Sequence, residues 1–504
     1  MKKIGFDNDK YLDQQSKEIL SRIESHGNKL YLEFGGKLLY DYHAARVLPG
    51  YDPNVKIRLL QKLKDKAEII LCIYAGHIEQ RKIRADFGFT YDVDVLKIID
   101  DLEEWGLSVS GVVITRYEEQ PAAKIFKNKL QRRNIPVYTH SYTEGYPNDV
   151  DLIVSDKGYG CNPYIETKKP LVIVTAPGPG SGKLATCLSQ LYHEYKKGIQ
   201  AGYAKFETFP IWNIPLEHPV NIAYEAATAD MGDYNLIDPF HLKAYGEEAV
   251  NYNRDVETFP IVERILEKIT GESSIYKSPT DMGVNKCGFG ITDDDAVSEA
   301  AKQEIIRRYF RYGCEYMLGL VDRDAVDRVG ELMKKVSVKE EDRKVVFAAR
   351  AAAAEAEKTG KGHKGVFCGA AIELPDGNII AGKNSPLMHA ASSVVLNTVK
   401  SLTSMPDNIH LLSPNIIDSI KSLKKDVMGS KSANLNLEET LIALSISAAT
   451  NPAAQSAVES LNKLRGAEIH MTYMPTAGDE SGLRMLSLNL TSDPNFSPHN
   501  IYLA

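Results

Sequence analysis

Val172-Ile173-Val174-Thr175-Ala176-Pro177-Gly178-Pro179-Gly180-Ser181-Gly182-Lys183 is the stretch on which the reading of the fold turns. Its first four residues are apolar or β-branched, with no polar alternation, the pattern of a strand buried on both faces. The next seven are glycine, proline, alanine and serine, a turn composition. Lys183 then opens Leu184–Lys196, a run of good helix formers. Strand, glycine-rich turn and helix in that order bring backbone N–H groups and a helix N-terminus to one point. That point suits a phosphate or another anion. Gly178, Gly180, Ser181, Gly182 and Lys183 are the candidate phosphate contacts, and a lysine at the loop's exit supplies a point charge. Compared with a Walker A loop, Pro177 stands where the first glycine belongs and Leu184 where a Ser or Thr would meet magnesium. Thr186 is the nearest hydroxyl. The structural alternative is a tight strand-to-helix turn that needs glycine for its backbone alone.

Outward from this loop, residues 29 to about 210 alternate apolar runs with amphipathic stretches. Strands are predicted at Leu30–Phe34, Glu68–Ile73, Val109–Thr115, Val137–His140, Leu152–Ser155 and Pro170–Thr175, with helices such as Asp92–Trp105 and Pro121–Arg133 between them. That order specifies an α/β domain with a mainly parallel sheet. Residues 210–290 mix aromatics, Pro, Asn and Asp, with helices expected at Pro239–Ala249 and Pro260–Thr270. Helices follow at Ala296–Tyr312, Asp322–Lys335 and Lys339–Lys358, and Thr359–Gly365 is a helix stop and linker. Beyond it, Gly365–Glu373 and Ile379–Ala381 flank a Pro-Asp-Gly-Asn turn, a hairpin signal. Helices are expected at 386–402, 416–424, 436–448 and 452–464, and strands at 409–412, 468–473 and 484–490. The reading is a multidomain α/β protein. Residues 1–225 form an α/β domain with a P-loop-like turn, 226–358 a loop-rich and helical middle region, and 359–504 a C-terminal α/β domain.

Composition bounds the function classes. The chain has 504 residues, 43% hydrophobic and 25% charged, more than one core usually supports and ordinary for folded domains. Lys and Arg number 60 against 67 Asp and Glu, a net charge of -7, which disfavours a dedicated nucleic-acid binder. The six cysteines, at 72, 161, 187, 287, 314 and 368, are isolated, so neither a zinc ribbon nor a disulfide framework is suggested, and no metal ligand is assigned. The first residues lack the apolar core of a signal peptide and no segment has the length of a membrane span, so a cytoplasmic location without a membrane partner is expected.

Other residues with chemical potential lie near predicted strand ends. Gly35, Gly36 and Lys37 close the first strand at its carboxyl end, where ligands collect in a parallel sheet. Asp41, His43 and Arg46 follow on one helical turn. These form a second anion or substrate contact, or else a glycine turn with a solvated helix. Lys205 and Glu207 emerge on one strand face, to pair with each other or to face a ligand. Glu225, Asp230, Asp233, Asp238, Asp281 and Asp293–Asp295 are the carboxylates available to magnesium, or capping acids. His193 and His241 read as structural.

Several strings are long enough to carry a resemblance: Tyr31–Lys37 (YLEFGGK), His43–Gly50 (HAARVLPG), Thr175–Lys183 (TAPGPGSGK), Leu188–Glu194 (LSQLYHE), Gly202–Trp212 (GYAKFETFPIW) and Ser278–Val284 (SPTDMGV). On them the chain resembles the bacterial domain-of-unknown-function family 1846, from near residue 5 to the C-terminus. The resemblance implies a cytoplasmic bacterial protein with more than one domain. The last domain is similar in element order to the cytidine-deaminase fold. Where those enzymes have a His-Ala-Glu triplet and a Pro-Cys-x-x-Cys motif, this chain has His389-Ala390-Ala391 and Pro414-Asn415-Ile416-Ile417-Asp418. With Ala391 for the proton-transferring glutamate and Asn415 and Asp418 for both thiolates, zinc-hydroxide deamination is not available, which implies a shell for binding or assembly.

Three functional readings follow. The first is an ATP-dependent transferase or ligase, with ATP and magnesium as cofactor and catalysis by positioning and charge neutralisation. The second is a non-catalytic regulatory protein that binds a small phosphorylated ligand. The third is an enzyme acting on a phosphorylated substrate that is not a nucleotide. Helices 296–358 have apolar faces that suit packing within the chain or in a homo-oligomer.

Overall fold

The fold is taken from a computed structural model, which describes residues 3–84, 88–430 and 432–496. These divide into two units. The first comprises Lys3–Glu225 and Asp233–Ala301, and the second Ala226–Gly232 and the chain from Lys302 onward.

The first unit is built on six strands: β1 (Leu30–Phe34), β2 (Ala67–Tyr74), β3 (Val109–Thr115), β4 (Val137–His140), β5 (Leu171–Thr175) and β6 (Gly202–Phe206). Their order is β4-β3-β2-β5-β1-β6, and every pairing is parallel. β1, β5 and β6 are buried at every position, as a sheet covered on both faces requires. The chain leaves β1 for β2, fills one side of the sheet to β4, returns to place β5 between β2 and β1, then crosses β1 to β6. Strand direction of travel therefore reverses around β5 and β1, the kind of switch point outside whose carboxyl ends open parallel sheets collect ligands.

Helices cover the sheet: α1 (Asn8–Glu24), α2 (Tyr42–Val47), α3 (Tyr91–Glu104), α4 (Pro121–Arg132), α5 (Lys183–Lys196), α6 (Pro239–Tyr245) and α7 (Asn253–Thr270). On one face Tyr31, Cys72, Val172, Val174 and Tyr203 of the strands pack with Cys187, Leu188 and Leu191 of α5 and Phe259, Val262 and Ile265 of α7. Two sequence expectations change here. Leu152–Ser155 is not a strand; Val150–Ile153 is a helical turn capped by Asp149, whose carboxylate accepts from the Leu152 N–H at 3.0 Å. The apolar run is too short to distinguish the two by period. Pro260, expected at a helix start, lies inside α7, which begins at Asn253. Burial of Phe259 and Val262 on either side of the proline holds the helix across the missing N–H.

The long helix α8 (Asp294–Met317) starts in the first unit and ends in the second. α9 (Arg323–Lys335) and α10 (Lys344–Lys358) make up, with it, the helical middle of the chain. The second unit then carries a mixed four-stranded sheet of β7 (Gly369–Glu373), β8 (Ile379–Lys383), β9 (Glu468–Met471) and β10 (Asn489–Ser492), ordered β8-β7-β9-β10. Only β9 and β10 are parallel. The hairpin turn is as read, with the Gly377 N–H donating to Leu374 O at 2.8 Å and φ of 87° at the glycine. Residues 409–412 are not a strand, although Leu411 and Leu412 are buried. The expected strand at 484–490 is displaced: Ala477–Met485 is helical and β10 starts at Asn489. Arg343, 2% exposed, ties β9 to β10 by donating to Glu468 Oε2 at 2.8 Å, Thr491 Oγ1 at 2.9 Å and Asn489 O at 2.9 Å.

Candidate functional site

The glycine-rich loop leaves β5 at the centre of the sheet and ends at Gly182, whose φ of 83° an L side chain rarely adopts. A Cβ there would lie 2.8 Å from Thr115 Cγ2, so glycine is required for space as well. The loop is braced from within and from β3. Ser181, fully buried, donates its hydroxyl to Gly178 O at 2.9 Å, and Thr115 donates to Ser181 O at 2.9 Å. Arg116, just past β3, has φ of 49° and donates from Nη2 to Gly180 O at 2.6 Å, with its guanidinium 3.7 Å from the Tyr74 ring centre.

With these carbonyls engaged, the donors face outward. The N–H groups of Gly182, Lys183, Leu184 and Ala185 have no partner among the described residues, as at the first turn of any helix. Lys183 is half-buried and Arg116 is half-buried, and neither forms an ion pair among the described residues. Two cations without counter-charge beside four free N–H groups make a local positive potential. His77, past the end of β2, borders Gly180, where a Cβ would lie 3.8 Å from its Cε1. Its ring meets Tyr74 and Tyr91 edge-on at 5.0 and 5.3 Å. Burial, aided by Lys82 and Arg116, brings His77 down to about 4, so it is neutral at pH 7, and its buried Nδ1 has no hydrogen-bond partner among the described residues. Gly178 is equally tight, since a Cβ would lie 2.3 Å from Tyr91 Oη.

Thr186 does not face the loop. It is fully buried, donates to Gly182 O at 3.0 Å and accepts from Cys72 Sγ at 3.4 Å. Its hydroxyl is committed inward, so it does not fit the magnesium-ligand role that a Walker-type loop needs. No group of three metal-ligating side chains occurs among the described residues.

A second polar cluster sits at the ends of β1 and β6, two strands from β5. Lys205 donates to Asp255 Oδ1 at 2.5 Å and lies 3.1 Å from Glu207 Oε1, and it also donates to the Tyr252 hydroxyl. Tyr252 in turn donates to Glu207 at 3.2 Å, and Tyr203 donates to Glu33 Oε2 at 2.8 Å. Burial raises the Glu207 carboxyl against the pull of Lys205, and Asp255 adds to the rise. Lys205 and Glu207 therefore pair as well as share a face. Gly35 is the neighbour of Glu207: a Cβ would come 2.6 Å from Glu207 Cγ.

The remaining predicted contacts gather around a different pair. Lys56, fully buried, binds Asp41 Oδ2 at 2.7 Å and donates to Lys37 O at 3.1 Å, and Asp41 caps α2. Burial alone would raise the Asp41 carboxyl, but Lys56 brings it down to about 2. Gly36 passes close to the Lys56 ammonium, His43 packs edge-on to Phe209 at 5.4 Å, and Arg46 lies in the last turn of α2. Gly36, Lys37 and His43 thus lie around a structural ion pair, with Arg46 on the helix that Asp41 caps. Among the acids, Asp238 and Asp293 are caps, and Asp233 pairs with Arg254 at 2.6 Å. Sequence reading missed His77, Arg116, Tyr252 and Asp255. The first two follow β2 and β3 directly and were legible by the strand-end rule applied to Gly35. The last two come from α7, and nothing local marks them.

In the second unit, His389 hydrogen-bonds Asp479 at 2.7 Å, while Asn415 and Asp418 are exposed.

With this geometry in place, comparison with known proteins adds the lineage. A family model described as domain of unknown function DUF1846, N-terminal, matches residues 4–337, and its C-terminal counterpart matches residues 341–502. The chain belongs to the DUF1846 family. A UPF0371 protein of Clostridium tetani is 58% identical over 500 residues, 99% of each chain, and a UPF0371 protein of Clostridium botulinum is 58% identical over 500 residues with the same coverage. No described helix is long and apolar enough to cross a membrane.

Proposed function

We propose that this DUF1846 protein binds the phosphate of a nucleotide or phosphorylated metabolite on the loop Ala176–Lys183, between Lys183 and Arg116. The observation that carries the reading is the pair of cations without ion-pair partners beside the open N–H groups of Gly182–Ala185, at the point where the strand order reverses. A charge-assisted contact from each cation favours a phosphate over a neutral ligand.

On the enzyme reading, an ATP-dependent transferase or ligase, Lys183 and Arg116 neutralise charge on the transferred group and Glu207 is the proton acceptor. Glu207 lies at the end of β6, two strand spacings or about 10 Å across the sheet from the loop's strand. The inward Thr186 hydroxyl favours the alternative in which the loop takes a phosphorylated ligand without a magnesium held by the protein, as a regulatory protein or as an enzyme on a non-nucleotide substrate. Thermal unfolding measured with inorganic phosphate, ATP with and without magnesium, and a set of sugar phosphates separates these. A ligand at 100 times its Kd raises stability by about 2.7 kcal/mol, a shift of several degrees. Such a shift, lost in Lys183→Ala, is expected for at least one phosphate ligand. A shift with sugar phosphates but not ATP would remove the transferase or ligase reading. No shift with any of them would remove phosphate binding.

A further inference from the structure

The glycine-rich loop presents donors while its acceptors are spent, and this narrows the anion it can hold between Lys183 and Arg116. An oxyanion that keeps a proton needs an acceptor from its site; one that has lost its protons needs donors alone. Sulfate is without a proton near neutrality, and a phosphate monoester loses its last one near pH 6.

The donors are the N–H groups of Gly182, Lys183, Leu184 and Ala185, the Lys183 ammonium and the Arg116 guanidinium. His77, against the loop at Gly180, adds one more. It is neutral at pH 7 and carries a single ring proton. On Nδ1 that proton would be buried with no acceptor among the described residues, whereas Nε2 reaches solvent. Burial therefore assigns the proton to Nε2 and makes the open nitrogen a donor.

The loop's own carbonyls are engaged from behind. Gly178 O accepts from the Ser181 hydroxyl at 2.9 Å, Gly180 O from Arg116 at 2.6 Å and Ser181 O from the Thr115 hydroxyl at 2.9 Å. Gly182 O accepts from both the N–H and the hydroxyl of Thr186 at 3.0 Å. The nearby acids are committed elsewhere: Glu79 accepts from the Ala123 N–H at 3.0 Å, and Glu119 lies 3.6 Å from Lys124. A carboxylate close enough to take a proton from the anion would also pair with Lys183 or Arg116, and none among the described residues does.

We infer that the loop takes an oxyanion that carries no proton, either a phosphate monoester as its dianion or a sulfate, and that it does not prefer phosphate over sulfate. This rests on the reading of the loop as an anion cradle and adds the ligand's protonation state to it. The groups around the anion are Lys183, Arg116 and His77, with Lys82 behind the Tyr91 ring at 5.7 Å and Tyr74 under Arg116. His77 stays neutral down to about pH 4, so a loss of affinity between pH 7 and pH 5 comes from the ligand.

Equilibrium dialysis of the full chain against radiolabelled sulfate, at constant ionic strength, tests this. Sulfate should bind saturably, be displaced by glycerol phosphate and fail to bind Lys183→Ala. Glycerol phosphate should displace it about tenfold less well at pH 5 than at pH 7, because only about a tenth of the ester is then dianionic. Sulfate itself should bind no more weakly at pH 5. Direct binding of labelled glycerol phosphate without binding of sulfate would overturn the inference and leave the phosphate reading standing, as would a glycerol phosphate affinity that holds from pH 7 to pH 5. Binding of neither anion would remove both.

Discussion

At the scale of single residues, burial decides which charges can serve a ligand. Lys56 and Asp41 are both buried and satisfy one another, so their pairing holds structure. Lys56→Met leaves a buried carboxylate without its partner and should destabilise the protein by about 3 kcal/mol at pH 7, read by urea unfolding. The pH dependence has a definite sign. The Asp41 carboxyl is lower folded, at about 2, than unfolded, near 4, so its contribution is present above pH 4 and lost as pH falls from about 4 to 2. It amounts to about 2 kcal/mol. The gap between wild type and Lys56→Met should narrow across that range, because a protonated Asp41 needs no cation; a gap constant from pH 7 to pH 2 would show that the pair contributes no linked charge. Lys183 and Arg116 are the contrasting case, half-buried without ion pairs among the described residues. Sequence could mark Lys183 by its glycines, but it could not tell Lys183 from Lys37, since both follow a Gly-containing strand end. Burial of Lys56, nineteen positions on from Lys37, makes that difference.

At the scale of elements, what sequence showed well was the parallel sheet, because strands buried on both faces are continuous apolar runs. β1, β3, β4 and β5 lie where those runs predict, and the loop joins strand to helix as read. The failures share a cause. Leu152–Ser155, Ile409–Leu412 and Arg484–Leu490 are short apolar stretches without a decisive period, and tertiary packing chose helix, irregular chain and a shifted strand for them. β10 owes its position to Arg343, whose guanidinium spans β9 and β10 from a distant point in sequence. Arg343→Ala leaves the Glu468 carboxylate and two strand carbonyls without that donor. A loss of about 3 kcal/mol is expected, seen as a lower unfolding midpoint in urea; a change below about 0.5 kcal/mol would mean that the strand pairing alone sets the edge.

At the scale of the whole molecule, the loop, its two cations and the Lys205 cluster all belong to the first unit. Arg343→Ala should therefore leave phosphate binding within about twofold of wild type at temperatures where the variant is folded. The N–H donors at the loop are the groups a bound phosphate must engage, and they can be watched directly. In protein labelled with 15N-glycine and 15N-leucine, titration with inorganic phosphate or a responding phosphate ester should shift the Gly182 and Leu184 amide protons downfield along one saturable curve, and Lys183→Ala should abolish the shift. Amide signals that stay in place while a phosphate ligand binds elsewhere would contradict the phosphate cradle.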